Sequence, residues 1–173
     1  SIGLFYSGIT YFLGLGFLEE GKTMGLAAYG KNSELYQWLK KYVSVSSDGT
    51  YRIDPRFTKA MFHLSDGARY FRWGEPEQEI IMVMQDISST LGKSREKSEP
   101  INEEHKNLAW AGQQIIEDVM LGLTKRTKEL TGSENLCLSG GVALNSVANG
   151  KILDSGLFKN VFIQPASGDE GQA

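Results

Sequence analysis

The sequence predicts an α/β domain, on three observations. Two stretches, residues 80–91 and 108–130, carry apolar side chains at three- and four-residue spacings, as amphipathic helices do. A third stretch, 136–163, runs strand, glycine turn, helix, strand over about 30 residues. At 173 residues, 40% hydrophobic and 23% charged, the chain has the size of one globular domain and can bury a core without covalent help. One compact domain, 1–173, is the simplest organisation. The single cysteine, Cys137, rules out an intrachain disulfide and a zinc-ribbon spacing. With 18 Lys and Arg against 21 Asp and Glu there is no whole-chain basic field, so nucleic acid is not an expected partner. No apolar run reaches 18 residues, because Gly3, Ser7, Gly8, Thr10, Gly14 and Gly16 interrupt the opening from Ile2 to Leu18. No basic stretch precedes that opening, so neither a membrane span nor a signal peptide is expected, and a reducing, cytoplasmic setting follows.

Taken in order, the opening admits either strand or apolar helix, since its aromatic and β-branched residues are mixed with glycine. Lys22 to Tyr29 reads as a small-residue helix stopped by Gly30, and Ser33 to Tyr42 as a second with Ser33 as its N-cap. Asp48-Gly49 signals a hairpin between Val43-Ser44-Val45 and Tyr51-Arg52-Ile53. Pro55 to Gly74 reads as aromatic and irregular. Pro76 then opens a helix to about Leu91 whose stripe is Ile80, Ile81, Met84, Ile87 and Leu91. The alternating charges of Lys93 to Glu99 read as a solvated linker. Asn102 caps a long helix with Leu108, Ala111, Ile115, Val119, Leu123 and Leu130 on one face, ended by Gly132. Leu136-Cys137-Leu138 is a strand in which Cys137 is expected to be buried packing. Leu144 to Leu153 forms a helix stopped by Gly156, and Val161-Phe162-Ile163 a buried strand.

Three motifs bear on chemistry. Gly16 to Thr23 satisfies G-x-x-x-x-G-K-[ST], the phosphate-binding P-loop expression. Its Glu19 and Glu20, however, would stand beside a polyanion, and no later apolar strand ends in an Asp to hold magnesium. Gly140-Gly141, between strand and helix, lets backbone approach a ligand at a helix start, although a tight turn with no ligand would also use glycine. Gly168-Asp169-Glu170-Gly171 presents an acid after a strand, suited to a cation or equally to an Asx turn.

The order of these pieces resembles the actin, sugar-kinase and heat-shock-chaperone ATPase superfamily. More closely, the chain is similar to the NodU/CmcH/TobZ family of O-carbamoyltransferases. The residues that carry this are Gly21 to Gly30, Leu108-Ala109-x-x-x-Gln113, Gly140 to Lys151 and Gly168-Asp169-x-Gly171, in the family's order along nearly the whole chain. The resemblance implies an actin-like, ribonuclease H-like lobe with long helices packed on a mixed sheet. Within it, 1–30 would be an inter-lobe linking segment, 31–100 an insertion and 101–173 a helix plus a nucleotide-binding α/β unit.

In that family a TsaD-like domain accepts carbamoyl-adenylate, made from carbamoyl phosphate and ATP by a separate YrdC-like domain, and passes the carbamoyl group to a substrate hydroxyl. Carried over, Gly140, Gly141, Val142 and Asn145 would line the adenylate site, Lys22 would face the nucleotide, and Glu20 is a further cleft residue. Asp169 matches the acid that holds the family's divalent metal, iron or magnesium. The family's H-x-x-x-H metal ligands have no counterpart here, because His63 and His105 stand in unrelated contexts. The first phosphate-binding hairpin and a YrdC-like segment are also missing. The chain is therefore expected to be a second-lobe fragment, cut at both ends and inactive alone, with the first lobe and the YrdC-like domain supplied by the same polypeptide. The acceptor is a small-molecule or sugar-like hydroxyl, with Pro55 to Gly74 as candidate contacts. Two other readings remain: a P-loop NTPase built on Gly16–Thr23, and a non-catalytic nucleotide-binding or scaffold domain.

Overall fold

Residues 1–31, 34–70, 74–168 and 171 are described in a computed structural model. Among them are seven α-helices, α1 (Ile2–Phe12), α2 (Glu20–Ala27), α3 (Glu34–Leu39), α4 (Pro55–His63), α5 (Gln78–Leu91), α6 (Glu103–Thr131) and α7 (Ser146–Asp154). Four strands accompany them, β1 (Val43–Val45), β2 (Tyr51–Ile53), β3 (Asn135–Leu138) and β4 (Asn160–Ile163). The chain is thus a mostly helical α/β domain. The described strands form two two-stranded sheets, β1-β2 at the expected hairpin and β3-β4, and among the described residues they do not build the mixed sheet that the resemblance implies. Two compact units divide it: Gly3–Val43 with Ile53–Ile115 and Ser1, and Ser44–Arg52 with Ile116–Ala173 and Ile2.

In the first unit the ambiguous opening is a helix. Ser1 accepts a hydrogen bond from the Leu4 amide and caps α1, whose Phe5, Ile9 and Phe12, with Leu13 just after the helix, are fully or almost fully buried. A helix apolar on most sides belongs inside a core. Gly112 of α6 permits close approach here, since a Cβ there would stand 2.7 Å from Ile9 Cδ1. The segment expected to be irregular contains α4 and a 3-10 turn, Asp66–Arg69. Asp54 caps α4 through the Arg56 amide, Pro55 sits at its first turn, and Phe57, Ala60 and Met61 repeat at helical spacing, all fully buried. Aromatic density had masked that periodicity. Phe57 is ringed by Phe5, Trp38 and Tyr42 at centroid distances of 5.5, 5.7 and 4.5 Å.

The charged stretch Lys93 to Glu99 is not simply solvated. Arg95 is 8% exposed, and its guanidinium donates to the carbonyls of Leu13, Gly14, Glu96, Lys97 and Glu99. It satisfies the orphan carbonyls that follow α1. The expected N-cap Ser33 lies outside the described residues. Asn102 does cap α6, accepting from the His105 amide.

In the second unit the hairpin tip packs closely on α6: Gly49, at φ +79°, would carry a Cβ 2.1 Å from the Gly122 carbonyl oxygen. Beyond Val119, however, the predicted stripe departs from the buried side, as Leu123 and Leu130 are exposed. Here β3 and β4 pair in parallel, with Leu136 opposite Val161 and Cys137 opposite Phe162. Leu136, Ile152 and Phe158 form the core, with Met120, Leu121, Leu138, Leu157 and Val161 against it. Strand alternation sends Cys137 and Phe162 to the other face, so both are exposed, contrary to the expected burial.

Candidate functional site

In the second unit β3 leads into Ser139, the glycine pair and a 3-10 turn, Gly141–Leu144, before α7. Gly140 has φ +99°, a conformation that L side chains rarely adopt, and donates its N–H to the Ser167 carbonyl at 2.7 Å. That bond ties the turn to the loop leaving β4, so both loops emerge at the carboxyl end of the parallel pair, where open α/β sheets bind ligands. A Cβ built on Gly140 or Gly141 meets no atom within 4 Å. The Ala143 amide donates back to the Gly140 carbonyl at 2.9 Å. Asn145 is buried and caps α7, its Oδ1 accepting from the Ala148 amide at 3.0 Å. Asn149 Nδ2 donates to the Ala143 carbonyl at 2.7 Å and braces the turn from beneath. Val142 is half-buried in the turn. Lys151 pairs with the buried Glu117, joining α7 to α6. Asn149 and Glu117 received no role from sequence. For Asn149 a polar residue four positions after the cap was the available signal, but such residues usually face solvent.

The first unit holds the other predicted residues. Glu20 and Thr23 are fixed by α1: Ser7 Oγ donates to Glu20 Oε1 at 2.6 Å, and the Thr23 and Thr10 hydroxyls are 2.8 Å apart. Lys22 is exposed and pairs with Glu19 at 2.7 Å. This local structure opposes the P-loop reading. The segment follows a helix, α1, where a P-loop follows a strand; Gly21 and Lys22 lie within α2; and Thr23, the expected magnesium ligand, is buried against Thr10.

A surface cleft of about 200 Å³ lies in the same unit, lined by Tyr42, Asp54, Arg56, Glu79, Met82, Val83 and Asp86. Asp86 Oδ2 accepts from Trp38 Nε1 at 2.9 Å and from the Tyr42 hydroxyl. Burial first, then that hydrogen bond, pushes the Tyr42 phenol well above the ordinary tyrosine range. The side chain of Arg56 holds Asp54 below the usual carboxylate range. Of the described residues in the region predicted to contact an acceptor, only Arg56 lines this cleft.

Asp169 lies outside the described residues. Among those described, no group of three or more His, Cys, Asp or Glu side chains is placed to hold a metal ion. The described residues therefore do not form the implied metal site by themselves. No helix among them is long and apolar enough to cross a membrane.

The model of the carbamoyltransferase N-terminus matches residues 1–173, the full length of the chain. The chain belongs to this carbamoyltransferase family. Among curated relatives, an uncharacterised protein from Synechocystis sp. is 37% identical over 175 residues, covering 100% of this chain and 26% of the relative. Nodulation protein NolO from Bradyrhizobium diazoefficiens is 32% identical, covering 100% of this chain and 27% of the relative. Nodulation protein NolNO from Sinorhizobium fredii is 31% identical, covering 100% of this chain and 22% of the relative. The carbamoyltransferase segment thus spans about a quarter of the length of these relatives.

Proposed function

We propose that this segment is the nucleotide-side lobe, of actin-like type, of an O-carbamoyltransferase that moves a carbamoyl group from carbamoyl-adenylate to a hydroxyl of a small-molecule or sugar-like acceptor. The observation that carries the reading is the Gly140-Gly141 turn, open on its outer side and held at the carboxyl end of a parallel strand pair. The Gly141 backbone, with no Cβ in front of it, and the positive end of α7 suit the phosphate of an AMP leaving group, while the Gly140 N–H holds the turn to Ser167. As the carbamoyl carbon leaves the adenylate for the acceptor oxygen, negative charge grows on that phosphate. Donors preorganised toward it lower the barrier. Asn145 and Asn149 hold the turn in shape and act as positioning residues.

Lys22 and Glu20 enter the proposal through the family pattern. The exposed Lys22–Glu19 pair is weak enough to exchange for a phosphate partner. Asp169 enters in the same way, as one ligand of a metal whose companions would lie elsewhere in the polypeptide. ATP and carbamoyl phosphate are the ultimate substrates, and the segment alone is proposed to be inactive.

Gly141→Val in the complete protein tests the reading. A Cβ at 141 meets open space, so thermal unfolding should be unchanged. The branched side chain would occupy the volume assigned to the nucleotide, and AMP affinity measured by calorimetry should fall at least about tenfold, equivalent to about 1.4 kcal/mol. Unaltered AMP affinity would overturn the assignment.

A further inference from the structure

The cleft of about 200 Å³ in the first unit shares no lining residue with the glycine turn or α2, and its charges do not balance. Glu79, Met82, Val83 and Asp86 follow one another at i, i+3, i+4 and i+7, so they share one face of α5. Asp54 and Arg56 at the start of α4 add to the lining, and Tyr42 completes it. Three carboxylates thus stand against one guanidinium. That guanidinium is already engaged, since its Nε and Nη2 donate to the Asp54 oxygens and its Nη1 stands 3.5 Å from Glu79 Oε2. Asp86 is the carboxylate left over. Among the described residues its side chain meets two neutral donors, Trp38 Nε1 and the Tyr42 hydroxyl, both on Oδ2, and no ion pair. A half-buried carboxylate held by neutral donors alone favours the approach of a cation. Beside it the lining is apolar: the Tyr42 ring, Val83 and Met82, the last 62% exposed.

We propose that this cleft binds a compact organic ammonium ion, with the ammonium group on Asp86 and the carbon frame against Tyr42, Met82 and Val83. The excess of carboxylates repels anions. A metal ion fits poorly, since among the described residues no three His, Cys, Asp or Glu side chains are placed to hold one. An ammonium group needs fewer ligands, because one charge-assisted bond to Asp86 and the face of the Tyr42 ring both attract it. The apolar wall selects a ligand that carries carbon beside its charge. The volume of about 200 Å³ is below the roughly 300–1,000 Å³ of sites for drug-sized molecules, which limits the occupant to a single small ring or a short chain.

Cyclohexylamine is a suitable probe, with cyclohexanol as its neutral counterpart of the same shape. In the complete protein at about pH 7.5, where an aliphatic amine is protonated, titration calorimetry should show saturable binding of cyclohexylamine. Its affinity should exceed that of cyclohexanol by at least about tenfold. Asp86→Asn keeps an acceptor for Trp38 and Tyr42 while removing the charge, and should weaken amine binding at least about tenfold. Met82→Lys alters an exposed side chain, so the thermal midpoint should hold, yet its own ammonium would occupy the cleft and displace the probe to a similar extent. Absence of saturable binding, equal affinity for cyclohexanol, or undiminished amine affinity in Met82→Lys would overturn the proposal. Undiminished affinity in Asp86→Asn would overturn it equally.

Discussion

At the start of α6, Asn102 and His105 close the first turn reciprocally. The Asn102 side chain accepts from the His105 amide, and His105 Nδ1 accepts from the Asn102 amide. This is a capping box with imidazole in place of the usual Glu or Gln. It requires the neutral ring. Burial, followed by the nearby Arg95 charge, lowers the His105 pKa below its ordinary 6.5, against opposing contributions from Glu104 and Glu99. The unfolded chain therefore binds the proton more readily than the folded one. Stability from this box is present above about pH 6.5 and is lost as pH falls through that value toward the folded one. Amide exchange in residues 102–106 should accelerate between pH 7.5 and 5.5, as read by hydrogen–deuterium exchange corrected for intrinsic rates, and His105→Leu should remove the acid step. Sequence reading placed Asn102 as the cap but left His105 without a partner, since histidine is a rare member of such boxes. Cys137 shows a different limit. A three-residue apolar strand does not reveal whether one face or both will be covered, and the buried reading failed at the side chain that points away from Leu136.

Among the elements, α6, α7, β3 and β4 were legible because length, capping and glycine stops agreed with their periodicity. The α4 helix was not, although Asp54-Pro55 is a good start signal and Arg56, Lys59 and His63 recur at helical spacing opposite its buried side, because its nine residues sit in an aromatic stretch whose other segments are irregular. The strap formed by Arg95 was hidden for another reason: alternating charges ordinarily mean solvent, and only the fold brings orphan carbonyls at Leu13 and Gly14 to a guanidinium 81 or 82 residues away. Arg95→Ala should destabilise by about 2–3 kcal/mol, because several carbonyls lose a charged donor. Hydrogen exchange should then rise at residues 12–19, ahead of α2, while β3 and β4 exchange as before. Equal protection in that loop would show that the guanidinium is dispensable.

For the whole molecule, family membership was legible from motif order, and the match over residues 1–173 agrees. The expected mixed sheet was read from resemblance, whereas the described strands make two separate pairs. Motif spacing carries very little information about how many strands stand beside a turn. The predicted site residues fall into two groups, α2 in one unit and the glycine turn in the other, and Asp169 lies outside the described residues. The most direct test of the central claim is AMP release by the complete protein supplied with ATP, carbamoyl phosphate and a panel of hydroxyl-bearing acceptors. Wild type should release AMP together with a carbamoylated acceptor, with Gly141→Val and Lys22→Ala each slower by at least about tenfold, a loss of roughly 1.4 kcal/mol in transition-state stabilisation. Carbamoyl transfer that proceeds without AMP release, or at the wild-type rate in Gly141→Val, would contradict it.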